Sequence, residues 1–382
     1  MSHSNEKNIY LRKEKKNMPI YMDVHIVPGV KAKDVAEAHR KDLLHQGEYG
    51  CKCMTYWIDE ERENIFCLID APDRDAVKEM HNSAHGLIPN KIIEVSSNVV
   101  SSFLGRIYDP EKAEISDNGL KVFTDSSFRI LLVTKVTDPN LLRFRLGLER
   151  ANEIFESHNN IIRRNLQQHG GREAEHEGSG FIISFSSASK AVACAIAIQE
   201  EMQDAHANNF SFSIAINAGE PIEKSSQLFG DTIQFSNNMC FIAGNYQTVI
   251  ASPVKELISK DFQNKKKNFL ALPSHDESLL KLLFSKLEEN WQNADFDIAN
   301  YCHATAMSTS QLYRKTISLT GLSPNLLLKE YRLEKAKELM QKQHSNIAQI
   351  TFDSGFTSAS YFTKCFKKKY GLLPMAYVDL LH

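Results

Sequence analysis

Three folded parts in series, an α+β part, then an α/β part, then an all-α part, are what this sequence predicts. Three observations predict it. Between residues 18 and 96, strand-like and helical runs follow one another in the order β-α-β-β-α-β. Between residues 128 and 262, apolar strand runs alternate with longer helical stretches. After residue 277, apolar residues recur only at helical spacing, and glycines punctuate pairs of helices. A chain of 382 residues has length for roughly two to four domains. An apolar content of 42% can supply their cores.

The first part begins after a polar, basic stretch, residues 1–17, expected to be a mobile tail. Ile20 to Val27 alternates as a strand does, with Met22, Val24 and Ile26 on one face and Tyr21, Asp23 and His25 on the other. Lys33 to Gln46 follows as a helix ended by Gly47. Strands are expected at Cys51–Ile58, Asn64–Asp70 and Lys91–Val95. A second helix spans Asp73 to Ala84, with Asp73 as its N-cap and Gly86 beyond its end. That order of elements is the ferredoxin-like split motif. His25, His39, His45, His81 and His85 crowd this part, and His81 and His85 share one helix face. Such a set can ligate a metal, and it also fits surface histidines beside a buried cysteine, Cys67.

Residues 97–127 are a polar mixture with Asp109-Pro110 and Asn118-Gly119, expected as a linker with some local structure. The second part then runs from 128 to 262. Strands are expected at Phe128–Val136, Phe181–Ser186, Phe210–Ala218 and Thr248–Ala251. Helices are expected over Leu141–His169, Ala188–Ala205 and Phe235–Ala243. Lys265, Lys266 and Lys267, with Pro273 beyond them, mark a second linker at 263–276.

The last part, 277–382, opens with a helix over Glu277–Asn290. A short helix from Asp297 to Ala304 and another, capped by Ser308 and reaching Leu319, form a first helix-turn-helix. Asn325 to Gln341 is a connecting helix. Ile347, Ile350 and Thr351, a turn at Gly355, and Tyr361, Phe362, Cys365 and Phe366 form a second one, with Thr357 as its N-cap. Phe356, Tyr361, Phe362 and Phe366 are expected in the core. The outward residues are Ser308, Thr309, Gln311, Arg314 and Lys315 on the first recognition helix. On the second they are Thr357, Ser358, Ser360 and Lys364, with Lys367 and Lys368 toward phosphates. Hydroxyls, amides and cations of this kind suit base edges and phosphates in a major groove. The same pattern also describes a solvated helix face.

Bulk charge is silent on this point, since the net charge is −2. From Thr357 to Lys369, however, there are four lysines and no acid. Seven scattered cysteines form no C-x-x-C pair, which fits a reduced, cytoplasmic chain. The first 17 residues lack the apolar core of a signal peptide, and no apolar run approaches the ~20 residues of a membrane span.

Three resemblances bear on these parts. Gly355-Phe356, Ser360-Tyr361-Phe362, Phe366-Lys367-Lys368, Gly371 and Pro374 closely resemble the second helix-turn-helix of the AraC family of bacterial transcription regulators; Leu373 departs from it. Met307-Ser308, Leu312, Arg314, Gly321, Ser323-Pro324 and Arg332-Leu333 match its first. The resemblance implies sequence-specific binding of double-stranded DNA. The phrases MDVH, AHRKDL, YWIDEE, FCLIDAPD and HNSAHGLI resemble a small bacterial ferredoxin-like family with a nickel-binding member. That implies a site for Ni, or for Zn or Cu, among His25, His39, Asp42, Cys67, His81 and His85, or a dimerisation domain without ligand. The phrases EGSGFIISF, AVACAIAIQEEM and LFGDTIQFSNNMCFIAG resemble the catalytic domain of class III nucleotide cyclases. There the two metal-binding aspartates fall at Lys135 and Ser179, the base-selecting lysine at Glu175, and the transition-state asparagine and arginine at Gln234 and Asn238. None of these keeps the chemistry, so the middle part is expected to be a degenerate cyclase-like α/β domain and the chain not an enzyme. The expectation is a homodimeric AraC-type regulator whose front domains sense a metal or small molecule. The alternatives are a cyclase with a DNA-binding tail and a metal store.

Overall fold

The structure, a computed structural model, describes residues 18–116, 119–136, 138–177, 180–206, 211–258, 269–342 and 346–381. The tail 1–17, Asn118, the expected strand start at Phe210, the pair Gly178-Ser179 and the lysines 265–267 lie outside the described residues. The described chain forms two compact units. One holds residues 18–101, 106–127 and 226–228; the other holds 102–105, 128–225 and 229–381.

In the first unit, β1 (Ile20–Ile26), α1 (Ala32–His45), β2 (Lys52–Asp59), β3 (Asn64–Asp70), α2 (Arg74–Ala84) and β4 (Lys91–Val95) follow the expected order. The four strands form one antiparallel sheet, β2-β3-β1-β4. The register sets Asp23 opposite Cys67, so both point to the same face. Val35 of α1 and Val77 and Met80 of α2 share a core with Tyr21, Tyr56 and Ile69 of the strands. Asp73 caps α2 by accepting from the Ala76 amide at 2.9 Å.

The stretch 97–127 is more built than a linker. It carries α3 (Ser97–Leu104) and a two-strand hairpin, β5 (Glu114–Ile115) with β6 (Lys121–Val122). Phe123 stacks on Tyr56 with ring centroids 4.0 Å apart, and the Arg106 guanidinium lies over Trp57 and Phe123.

In the second unit a six-stranded sheet runs β12-β11-β10-β7-β9-β8. Its strands are β7 (Arg129–Val136), β8 (Arg172–Glu177), β9 (Gly180–Phe185), β10 (Phe212–Gly219), β11 (Gln247–Ile250) and β12 (Phe269–Ala271). β10 with β11 and β11 with β12 pair in parallel, and the other neighbours antiparallel. The edge strand β12 comes from the stretch expected to be the second linker. The single helix expected over Leu141–His169 is two, α4 (Pro139–Leu146) and α5 (Leu148–Gln168), broken at Gly147 with φ of 82°. Helices α5, α6 (Ala188–His206) and α8 (Ser252–Leu257) cover one sheet face. The other face meets α7 (Gly230–Ile242) and the C-terminal helices. Val133, Ala215 and Val249 share a buried cluster with Leu280, Leu283 and Phe284 of α9 (Ser274–Asn290).

Beyond α9 the chain is helical throughout its described length. The elements are α10 (Ile298–Thr305), α11 (Thr309–Thr320), α12 (Pro324–Lys342), α13 (Ile347–Asp353), α14 (Ala359–Tyr370) and α15 (Pro374–Asp379). Leu327, Leu328 and Tyr331 on α12 join the first cluster, while Leu333, Ala336 and Met340 join a second with Ile350, Phe356, Phe362 and Phe366. One helix therefore braces both helix-turn-helix units.

Candidate functional site

Two groups of side chains carry chemistry, one in each unit. In the first unit, β1 supplies Asp23 and His25, β3 supplies Cys67, α1 supplies Asp42 and α2 supplies His81, with His85 as its C-cap. The strand alternation and the i, i+4 spacing on α2 aim all six inward. Ligand atoms of Asp23, His25, Cys67 and His81 lie within 4.8 Å of one another, as do those of Asp42, His81 and His85.

His81 is the hub. Its Nε2 stands 3.0 Å from an Asp23 oxygen, and its Nδ1 stands 3.1 Å from Asp42 and 3.2 Å from His85 Nε2. Burial disfavours its charge, yet Asp23 and Asp42 outweigh burial and raise its pKa to about 10. Burial would likewise raise Asp23, but the imidazoles of His81 and His25 hold it well below the usual carboxylate range. Burial, then Asp23 and Asp42, push the Cys67 thiol well above its ordinary value.

The donor set fits a divalent metal. Two carboxylates are almost wholly buried, and one imidazolium serves both. Among the described residues His25 Nδ1 is buried without a hydrogen-bond partner, and Asp23 Oδ1 lies 3.3 Å from His25 Nε2. A cavity of about 20 Å³ lies against His25, His39, Asp42, Cys67 and His85, room for a single ion. Imidazole, thiolate and carboxylate together suit nickel, copper or zinc.

Of the residues named from sequence, the structure brings His25, Asp42, Cys67, His81 and His85 together. His39 lines the same cavity but faces Asp109 at 3.7 Å, outside both ligand groups. Asp23 escaped the sequence reading, although it sits one alternation from His25 on the same strand face.

In the second unit the candidate interface is the pair of recognition helices, α11 and α14. Ser308 caps α11: its hydroxyl accepts from the Gln311 amide at 3.3 Å, and Gln311 Oε1 accepts from the Ser308 amide at 3.0 Å. The Gln311 carboxamide is thereby held by its oxygen, and its NH₂ is the group left to meet a base edge. Thr309 and Arg314 are exposed and Lys315 half-buried on this helix.

The cap of α14 is Ser358 rather than Thr357, since the Ser358 hydroxyl accepts from the Tyr361 amide at 3.3 Å. Thr357, Ser358, Ser360, Lys364, Lys367 and Lys368 are all exposed. Tyr361, expected in the core, is 54% exposed. The inward stripe of α14 is Phe362, Cys365, Phe366 and Tyr370. Tyr361 stands about 100° off that stripe, on the edge it shares with Lys364 and Lys368.

The turn between α13 and α14 rests on Gly355. Its φ is +77°, and a Cβ there would lie 2.2 Å from the Trp291 carbonyl oxygen. Arg332 of α12 donates to that same carbonyl at 2.9 Å.

Lys135, at the end of β7, pairs with Glu334 of α12 at 3.8 Å. Asp138 caps α4 and accepts from Tyr377 Oη at 2.8 Å and Gln341 Nε2 at 3.3 Å. Gln234 and Asn238 lie on α7 and Glu175 on β8.

Both sites lie within segments that match known families. Residues 21–95 match the family described as nickel responsive protein SCO4226-like, and residues 301–379 match a helix-turn-helix domain family. The chain thus carries a nickel-responsive-protein module at its front and an AraC-type helix-turn-helix domain at its end. It is 36% identical over 108 residues to histidine kinase P4 of Formosa agariphila, covering 28% of this chain and 8% of that protein. It is 33% identical over 105 residues to the HTH-type transcriptional activator RhaR of Yersinia pseudotuberculosis, covering 27% of this chain and 35% of RhaR. Among solved structures, an adenylate/guanylate cyclase/hydrolase from Silicibacter pomeroyi aligns over 37% of this chain and 82% of its own, with 20% identity and a TM-score of 0.31. The matched segments therefore span 8% and about a third of the two curated relatives' lengths.

Proposed function

We propose that this chain is a DNA-binding transcription regulator of AraC type that responds to a divalent metal held in its first unit. The single observation that supports this most is the exposed, capped face of α11 and α14, joined by one continuous helix, α12. Such a pair can enter successive major-groove segments of one duplex. Arg314 and Gln311 would read base edges, and Lys367 and Lys368 would neutralise phosphates.

In the first unit, Asp23, His25, Cys67 and His81 would hold nickel, with Asp42 and His85 orienting His81 from behind. The bound ion would replace the proton that His81 keeps between two carboxylates. No described helix is long and apolar enough to cross a membrane. We place the protein in the cytoplasm as a homodimer and give it no enzymatic role, because Lys135 stands where cyclase chemistry needs a carboxylate.

The test is anisotropy of labelled duplexes taken upstream of the protein's own gene, with wild type, Arg314→Ala and Lys367→Ala. Removing a base-reading arginine is expected to cost about 1–3 kcal/mol, and removing a phosphate-bound lysine to lower the salt slope by about one. Equal binding by all three proteins on every sequence would defeat the assignment of these helices.

A further inference from the structure

A cavity of about 520 Å³ opens in the second unit between the C-terminal end of β7, the end of α7 and the bracing helix α12. That volume is in the range of sites for small organic ligands. Three ammonium groups converge in it on one carboxylate. Glu334 lies 3.8 Å from Lys135, 3.3 Å from Lys337 and 3.2 Å from Lys369. Each lysine comes from a different element: β7, α12 and α14.

The lining is cationic in balance. Lys135, Arg145, Lys337 and Lys369 face Asp138, Glu330 and Glu334. Asp138 accepts from the α4 amides and Tyr377 and also lies 3.5 Å from Lys337, while Glu330 lies 3.0 Å from Lys369. Phe241, Leu322 and Leu326 add apolar surface to the lining. Lys135 and Lys369 sit 5.8 and 5.7 Å from the Phe241 ring centre. Tyr370 lines the cavity at 5% exposure, with its hydroxyl set toward the Glu334 carboxylate.

We propose that this cavity is an effector site for an organic anion with a flat apolar body. The anionic head, a phosphate or a carboxylate, takes the place that Glu334 now holds among the three lysines. The body lies on Phe241 and the leucines, and Tyr370 turns to the head the hydroxyl that now faces Glu334. Glu334 is the built-in occupant of an anion cradle. An incoming anion competes with it and so loosens α12 from the sheet. Because α12 braces both recognition helices, the ligand and DNA are thermodynamically linked. That consequence rests on the DNA-binding reading; the binding site itself does not.

The experiment is calorimetry on the full chain with adenosine 5′-monophosphate and 2-naphthoate, and with adenosine and inorganic phosphate as controls. Binding of at least one aromatic anion, at least about tenfold tighter than either control, is expected. Glu334→Gln removes the competing carboxylate and should tighten it about tenfold, while Lys135→Gln should weaken it about tenfold. Lys135 is 42% exposed, so its replacement spares the fold. Absence of binding by wild type and Glu334→Gln at millimolar concentration overturns the site, as do shifts of the same sign in both variants. Adenosine binding as well as its monophosphate overturns the anionic head. A parallel DNA titration keeps the two readings apart: loss of anion binding with DNA binding intact sinks only this site.

Discussion

His81 shows how much one side chain can carry. It is the shared cation of two buried carboxylates, so its loss strands both. His81→Ala is expected to destabilise the first unit by about 3–5 kcal/mol, read from the denaturant midpoint. Cys67→Ser keeps the ion pairs and removes a soft ligand, so nickel affinity should fall about tenfold with stability nearly kept. Nickel binding unchanged in both variants would remove the metal from the account. At this scale the sequence was legible where chemistry announces itself: histidines at i, i+4 stand out. Asp23 was not, because a lone aspartate on a strand face carries no signal until β3 brings Cys67 opposite it. Tyr361 misled for the converse reason: an aromatic beside Phe362 extends an apolar run, and only the phase of α14 turns it outward.

Among elements, the turn at Gly355 is the least replaceable part of the second helix-turn-helix. Gly355→Ala meets both a left-handed backbone and the Trp291 carbonyl. The expected loss exceeds about 1–2 kcal/mol and appears as a lower melting temperature with weakened DNA binding. Ser358→Ala, which removes only a cap, should cost about 1 kcal/mol. An alanine at 355 as stable as glycine would mean the turn is not built this way. Helical periodicity marked the C-terminal helices α9 to α14, because one apolar stripe suffices to do so, but not the six-residue α15, which is too short to show one. The break at Gly147 and the edge strand Phe269–Ala271 were not legible. The first needs a backbone angle, and the second is three residues whose pairing with β11 is set by the fold.

At the scale of the second unit, sheet and helix-turn-helix helices share one core and one ionic cluster. Burial opposes the charge on Glu334, but Lys135, Lys337 and Lys369 hold it well below its ordinary 4.5. A depressed carboxylate stabilises the fold above its unfolded pKa and loses that contribution as pH falls through the folded one. Stability should therefore be flat with respect to Glu334 down to about pH 4.5, then fall; Glu334→Gln should flatten the acid limb. An unchanged acid limb in that variant would mean the lysines do not hold the carboxylate. Sequence alone could not reveal this docking, since Lys135 and Glu334 stand far apart in the chain and each looks like an ordinary surface charge.

The central claim is that α11 and α14 read one duplex together. Selection of binding sites from a random duplex pool by the full-length chain, with and without nickel, tests it most directly. The account predicts an enriched site of two short motifs about one helical turn apart, ~10 base pairs. The motif nearest α14 should be lost in Lys364→Ala, and enrichment should change with nickel. A pool that gains no motif at any salt concentration would contradict it.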